Sequence, residues 1–360
     1  MGHPQAARKL AAMLEKLNEY KEPFRALTLG AAHAALGLEL TLVLSPQLCS
    51  LELRQTAYGR LWVGRFTEML CTYGKKLNHA LTPGYAPGRM RSVGGGGLLG
   101  GVARSFISAA YWVARHSLIE LLEPLNHLSC LVGNEWSLNA DQGLVHAYGF
   151  WLKCLDESRE CLELRVHKDD VKTRALCLNH YSDADHASEL RRKSTGGAVG
   201  IVESRSGKSG AILDAGCKTQ ASVARSSGES ETTALHELAV DLDDQPRPTE
   251  LQRELVDRSA DRIKALATVV ARVACPVDAL AAWIGAGRYL LNSGRIYVDA
   301  TVCKSVAEAG ESKAMQYVQK SQAVDLLWLR DVIRHLGLVV LKIDSERNLA
   351  LDNQNEFNTR

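Results

Sequence analysis

Apolar and polar residues alternate at the period of a β-strand in "LGLELTLVLSP" (Leu36–Pro46) and "SLELRQ" (Ser50–Gln55), which predicts two strands around a turn at Pro46. The next stretch, "TAYGRLWVGRFTEML" (Thr56–Leu70), switches to helical spacing. Residues 5–20, 98–130 and 141–157 also read as helices. "LTPGYAPGRMRSVGGGG" (Leu81–Gly97) is rich in Pro and Gly and reads as a linker. Its four glycines follow no clear strand and precede no G-K-[ST], so they do not read as a phosphate loop.

From about residue 160 the period shortens. "CLELRVH", "RALCLNHYSD", "GGAVGIVESRSG" and "CKTQASVAR" are strand-like runs broken by polar or Gly-rich turns, the pattern of an antiparallel meander. "SGESETTALHELAVDL" (Ser227–Leu242) follows as a helix with Ser227 as its expected N-cap. "DDQPRPTE" breaks it, and residues 249–290 read as two further helices separated near Pro276. "GRIYVDA" (Gly294–Ala300) is a strand ending on an acid, 312–335 is helical, and "GLVVLKID" (Gly337–Asp344) is a last strand. The pattern predicts strands from residues 160–182, 196–203, 217–225, 294–299 and 338–344, with helices at 228–242 and 249–290 between them.

Within that frame, acids stand where strands end. Asp183 and Asp185 close one strand, Asp299 closes another, and Glu231 lies in the first turns of the helix after the meander. Acids so placed either face solvent or converge. A converged set of hard oxygen ligands suits two Mg²⁺ ions roughly 4 Å apart, one to activate water and one to stabilise a leaving oxygen. For Glu231 alone, an exposed acid favouring a helix N-terminus is the plainer reading.

Composition narrows the class. The chain has 360 residues, 46% hydrophobic and 23% charged, with a net charge of +2, which gives no overall pull towards nucleic acid. Nine Cys are scattered singly, with no C-x-x-C pair, as in reduced intracellular proteins. The first residues are charged and lack an apolar signal core, and no long uncharged apolar run predicts a membrane span. An intracellular setting, cytoplasmic or nuclear, is expected.

Several phrases, in order, resemble the C-terminal part of a copia-type retrotransposon Pol polyprotein: the region after the reverse transcriptase active site, then the ribonuclease H domain. "YSDADHASELRRKSTGG" resembles that family's Y-S-D-A-D-W-A-x-x-x-x-x-R-[KR]-S-T-S-G, and "KTQASVARSSGESETTAL" its K-[KR]-Q-x-x-V-A-L-S-S-x-E-A-E-Y-x-A-L. "YVDATVCKSV" stands at the family's strand followed by D-N-x-[SG]-A, "KAMQYVQKSQAVDLLWLRDVI" at the segment around K-H-I-D-I-R-x-H-F, and "LKIDSERNLALD" at V-x-T-x-x-N-x-A-D. Upstream, "LNEYKEPFRALTLGAAHAALGLEL", "LELRQTAYGRLWVGRF" and "RSVGGGGLL" resemble the segments that lead into the connection region.

The resemblance implies an α/β fold: a ribonuclease H-like domain at 159–352 on a mixed sheet of about five strands from the segments named above, with the helix at 228–242 packed on it and a helical insertion at about 245–290 outside the metal site. A helical connection at 96–158, a remnant of the preceding region at 1–95 and a tail at 353–360 complete the chain. It implies Asp183, Glu231, Asp299 and Asp352 as catalytic and metal-binding acids, with two Mg²⁺ (or Mn²⁺) ions and an RNA–DNA hybrid as substrate. Other parts of a retroelement polyprotein would be partners, and no membrane is involved. Asp185 and Glu229 match neighbouring acids of the motifs.

The fourth acid departs from the pattern. Leu351 stands at the family's Asp, and Asp352 reaches it only by a one-residue slip, about 100° around a helix. Asp325 matches the Asp of the H-I-D segment and reads better as a solvated helix position. His186 replaces the family's Trp, as either a metal ligand or a strand-end His with a backbone partner. Arg191, Arg192 and Lys193 would meet phosphates or form a solvated turn. Polymerase Y-x-D-D, integrase and protease motifs are absent. The alternative expectation is a decayed element fragment that keeps the fold and at most binds nucleic acid.

Overall fold

The computed structural model describes residues 32–35, 38–45, 47–84, 96–133, 136–173, 175–186, 193–244, 294–312, 315, 318 and 324–348. The expected helices at 5–20 and 245–290, the tail, Arg191, Arg192 and the candidate Asp352 lie outside these residues.

The described residues form a mixed α/β structure on one nine-stranded sheet. In chain order the strands are β1 (Ala32–Ala35), β2 (Leu38–Leu44), β3 (Leu48–Arg54), β4 (Cys161–His167), β5 (Leu176–Asp185), β6 (Thr195–Ser204), β7 (Gly210–Thr219), β8 (Arg295–Val298) and β9 (Val339–Lys342). Their spatial order is β1-β2-β3-β4-β7-β6-β5-β8-β9. Strands β1 to β4 run antiparallel to their neighbours, as do β6 and β7, and β5 is antiparallel to β6. β8 and β9 run parallel to β5. β4 joins β7 through one backbone pair, Arg165 and Gly210, and Leu164 of β4 packs with Leu176, Leu178, Val202 and Ala211 across that junction.

The helices are α1 (Thr56–Thr72), α2 (Gly100–Ala114), α3 (Leu122–Cys130), α4 (Leu138–Asp156), α5 (Lys168–Lys172), α6 (Ser227–Asp244), α7 (Thr301–Ala309) and α8 (Leu326–His335). Helices α1 to α4 bury one large apolar cluster, with Phe66 stacked on Tyr148 at 4.0 Å and Phe106 edge-on to both. Ala215 and Cys217 of β7 lean on that cluster. Helix α6 lies on the opposite face, because Gly196, which faces Ala234, is out of phase with Gly197, the residue paired with Cys217. There Leu235, Leu238 and Ala239 of α6 pack with Ile296, Val298 and Val340 of the parallel strands, and with α7 and α8.

Two expectations are corrected. The third strand of the meander spans Gly210–Thr219, not 217–225. The turn after β6, with Gly207 at φ +69°, returns the chain earlier than its polar residues suggested, and residues 220–226 lead into α6 instead. The sheet has nine strands, not about five, because β1 to β3 extend it beyond β4; the two runs at 160–182 form the two strands β4 and β5, with the short α5 between them. The last glycine of the expected linker is packed: a Cβ on Gly97 would lie 2.6 Å from the Ser137 carbonyl oxygen. Buried Asp141 holds the chain there, accepting from Leu98 N–H, Leu99 N–H and Trp136 Nε1.

Candidate metal centre

Parallel pairing of β5 and β8 sets Tyr181 opposite Tyr297, and the two rings stack at 5.0 Å. Two residues further along each chain stand Asp183 and Asp299. The acids stand at adjacent strand ends, Asp183 within β5 and Asp299 just past β8. Glu231 arrives from α6, whose start is fixed by a reciprocal cap. Ser226 Oγ accepts from Glu229 N–H at 3.2 Å, and Glu229 Oε2 accepts from Arg225 N–H at 2.7 Å. Ser226 therefore fills the N-cap position expected of Ser227, and the fully buried Glu229 serves the cap.

Asp183, Glu231 and Asp299 each offer a carboxylate oxygen within 4.8 Å of the other two. All three are half-buried. Burial raises the Asp183 carboxyl to about 6, helped by the charges of Asp299 and Asp185 and opposed by a hydrogen bond from Ala184 N–H at 2.8 Å. Burial raises Glu231 further, to about 9, followed by its hydrogen bond to Asp299 and the charges of Asp299 and Asp183. A carboxyl–carboxyl hydrogen bond requires one of the pair to hold a proton. Asp299 Oδ2 accepts from Ser345 Oγ at 2.8 Å. Glu231 Oε2 and Asp299 Oδ1 are buried and receive no hydrogen bond from the protein.

These orphaned acceptors on clustered acids fit a hard divalent cation, which takes several oxygen ligands and carries the opposite charge. Among the described residues no other group of three His, Cys, Asp or Glu is close enough to hold a metal ion.

The remaining candidates are placed elsewhere. Asp325 is the N-cap of α8, its Oδ1 accepting from Leu327 and Trp328 N–H, so the solvated helix position expected of it is corrected. Asp185 ends β5 outside the three-acid group, adding only to the repulsion at Asp183. His186 is exposed and Lys193 half-buried.

Three polar contacts beside the acids were not read from the sequence. Gln220 Nε2 donates to the Ser230 carbonyl oxygen at 2.7 Å, Asn348 Nδ2 donates to that of Ser182 at 3.0 Å, and Ser345 holds Asp299. Their only advance signal was that Gln220 and Asn348 sit at polar letters of the motifs.

No family model, curated protein or solved structure matches this chain. Among the described residues, no helix is long and apolar enough to cross a membrane.

Proposed function

We propose that the chain is a divalent-metal endonuclease of the ribonuclease H type, derived from a copia-type retrotransposon polyprotein and acting on the RNA strand of RNA–DNA hybrids. The observation that carries this reading is the convergence of Asp183, Glu231 and Asp299 on one point from β5, α6 and the end of β8. These are the acids that the copia-like phrases single out, and the resemblance requires Asp183 and Asp299 on neighbouring strands, where β5 and β8 lie. The strands β7-β6-β5-β8-β9, part of the nine-stranded mixed sheet, with α6 on one face, support this reading.

Asp183, Glu231 and Asp299 would hold Mg²⁺ or Mn²⁺. Two such ions would supply water activation and stabilisation of the leaving oxygen. The protein's own part is to collect three charges at the strand ends and to keep a proton on Glu231 until a cation replaces it. Such a site reads duplex shape and sugar hydroxyls more than base sequence.

The test is cleavage of a labelled RNA–DNA hybrid with Mg²⁺, alongside thermal melting with and without Mg²⁺. The parent is expected to cleave and to melt higher with Mg²⁺. Asp183→Asn is expected to lose both effects while melting as high as the parent, or higher, in metal-free buffer. A parent with neither cleavage nor a Mg²⁺ shift would leave the second reading, a decayed fragment. That reading is favoured by the sequence departures: Leu351 stands at the family's fourth acid and His186 at its Trp.

A further inference from the structure

The backbone carrying the acids is tied down by three side chains from distant parts of the chain. Gln220, fully buried just past β7, donates from Nε2 to the Ser230 carbonyl, one residue before Glu231. Its own N–H donates to the Ser194 carbonyl at 2.8 Å, so it also ties α6 to the start of β6. On the other side, residues 343–348 leave the outer strand β9 and cross the end of β8. Ile343 N–H bonds the Val298 carbonyl at 2.9 Å, and Ser345 Oγ bonds Asp299. The fully buried Asn348 then bonds the Ser182 carbonyl, one residue before Asp183.

Asp183 and Glu231 thus each follow a residue whose carbonyl is held by a buried amide, and Asp299 is held directly. Like charges at this spacing repel, and a free backbone would relax by letting them drift apart. The ties oppose that drift. Gln220 also keeps its Oε1 buried without a partner, an arrangement that costs stability. An apolar side chain of the same length would fill the space without that cost, so packing alone does not account for the amide.

We propose that Gln220, Ser345 and Asn348 are positioning residues of the metal centre: they hold the three carboxylates at cation-binding distance before the ion arrives, and so set its affinity. The inference rests on the metal-centre reading above. Residues that orient ligands without touching the metal commonly change its affinity about 10- to 100-fold when removed.

The experiment is calorimetric titration of the full chain with Mn²⁺, paired with melting in EDTA, for the parent, Gln220→Met, Ser345→Ala and Asn348→Ala. The control is Ser117→Ala, which breaks a buried hydrogen bond to Gln55 in the helical layer. Gln220→Met and Ser345→Ala are expected to melt with the parent in EDTA yet bind Mn²⁺ about 10- to 100-fold more weakly. The control is expected to bind as the parent does. Ser345 is exposed, so its variant keeps the test decisive even if Asn348→Ala does not fold. Parent-like affinity in Gln220→Met and Ser345→Ala would overturn the positioning role and leave the metal centre standing. So would weaker binding matched by an equal loss of stability in EDTA. A parent that binds no Mn²⁺ removes both.

Discussion

Asp183, Glu231 and Asp299 stand too close together to be fully ionised at once without a cation, and that repulsion has a measurable pH signature. Glu231 sits near 4.5 in a free chain and at about 9 in the fold, so between those values the folded state holds the extra proton and stability falls as pH rises. Asp183, raised from 3.8 to about 6, acts in the same direction over its lower window. The buried His180, lowered from 6.5 to about 4, acts oppositely there: the folded state holds fewer protons, so stability rises with pH up to about 6.5. Above pH 7 both of these are finished, and Glu231 still titrates. The buried thiols Cys154 and Cys161, raised to about 12 and 11, add their own loss only as unfolded-chain thiols begin to ionise near 9. In EDTA the melting temperature is therefore expected to fall between pH 7 and 8. The fall should vanish with saturating Mg²⁺, which displaces the proton, and in Glu231→Gln. A slope that survives in Glu231→Gln would assign the titration to another group.

Elements carry these residues through caps and close approaches. Asp325 caps α8, so Asp325→Ala is expected to lower stability by about 1 kcal/mol in denaturant melts, while Asp325→Asn, which can still cap, costs less. Neither should alter the Mg²⁺ shift. Gly196 of β6 lets α6 approach the sheet, since a Cβ there would lie 3.2 Å from that of Ala234. Gly196→Val should push α6 outward, lower stability by about 1–3 kcal/mol and weaken Mn²⁺ binding by carrying Glu231 off the other acids. Unchanged Mn²⁺ affinity would show that α6 adjusts without moving Glu231. Much at this scale was readable in the letters. "YSDAD" and "YVDA" ended strands on acids because strand alternation is a local rule, and "SGESE" opened a helix, with its cap one residue earlier than expected, at Ser226. The start of β7 was not readable: Asp214 and Gly216 interrupt its alternation, and the polar turn before it looked like a longer loop. Asp325 was misjudged because a cap is recognised only once the helix start is known. Gln220 and Asn348 were invisible as ties, since each acts on a carbonyl that only the folded chain brings near.

Across the whole molecule, the sheet runs without a break from the region before the helices to the candidate metal centre, through the single pair Arg165 and Gly210. That junction is reinforced from outside the ladder. Buried Asp170, within α5, accepts from Ser206 Oγ at 2.8 Å and Ser209 Oγ at 2.7 Å in the turn between β6 and β7. Burial is the largest single influence and pushes its carboxyl up, but the serine hydroxyls together outweigh it and hold the carboxyl below the usual 3.8, so their contribution is lost as pH falls below that value. Asp170→Ala is expected to cost about 1–3 kcal/mol in urea unfolding at pH 7, because it strands the hydroxyls, and to leave Mn²⁺ affinity unchanged. Weakened Mn²⁺ binding there would show that the junction transmits to the acids. The pattern of ladders has a further consequence on slow timescales. Two well-bonded blocks, β1 to β4 and β5 to β9, share one backbone pair, so if side-chain packing across the seam yields first, each block can open while the other stays closed. Amide hydrogens along β5, β6 and β8 would then exchange with solvent as one slow group, set by the metal-bearing block. Those along β2 and β3 would exchange as another, and added Mg²⁺ would slow the first group and leave the second at its original rate.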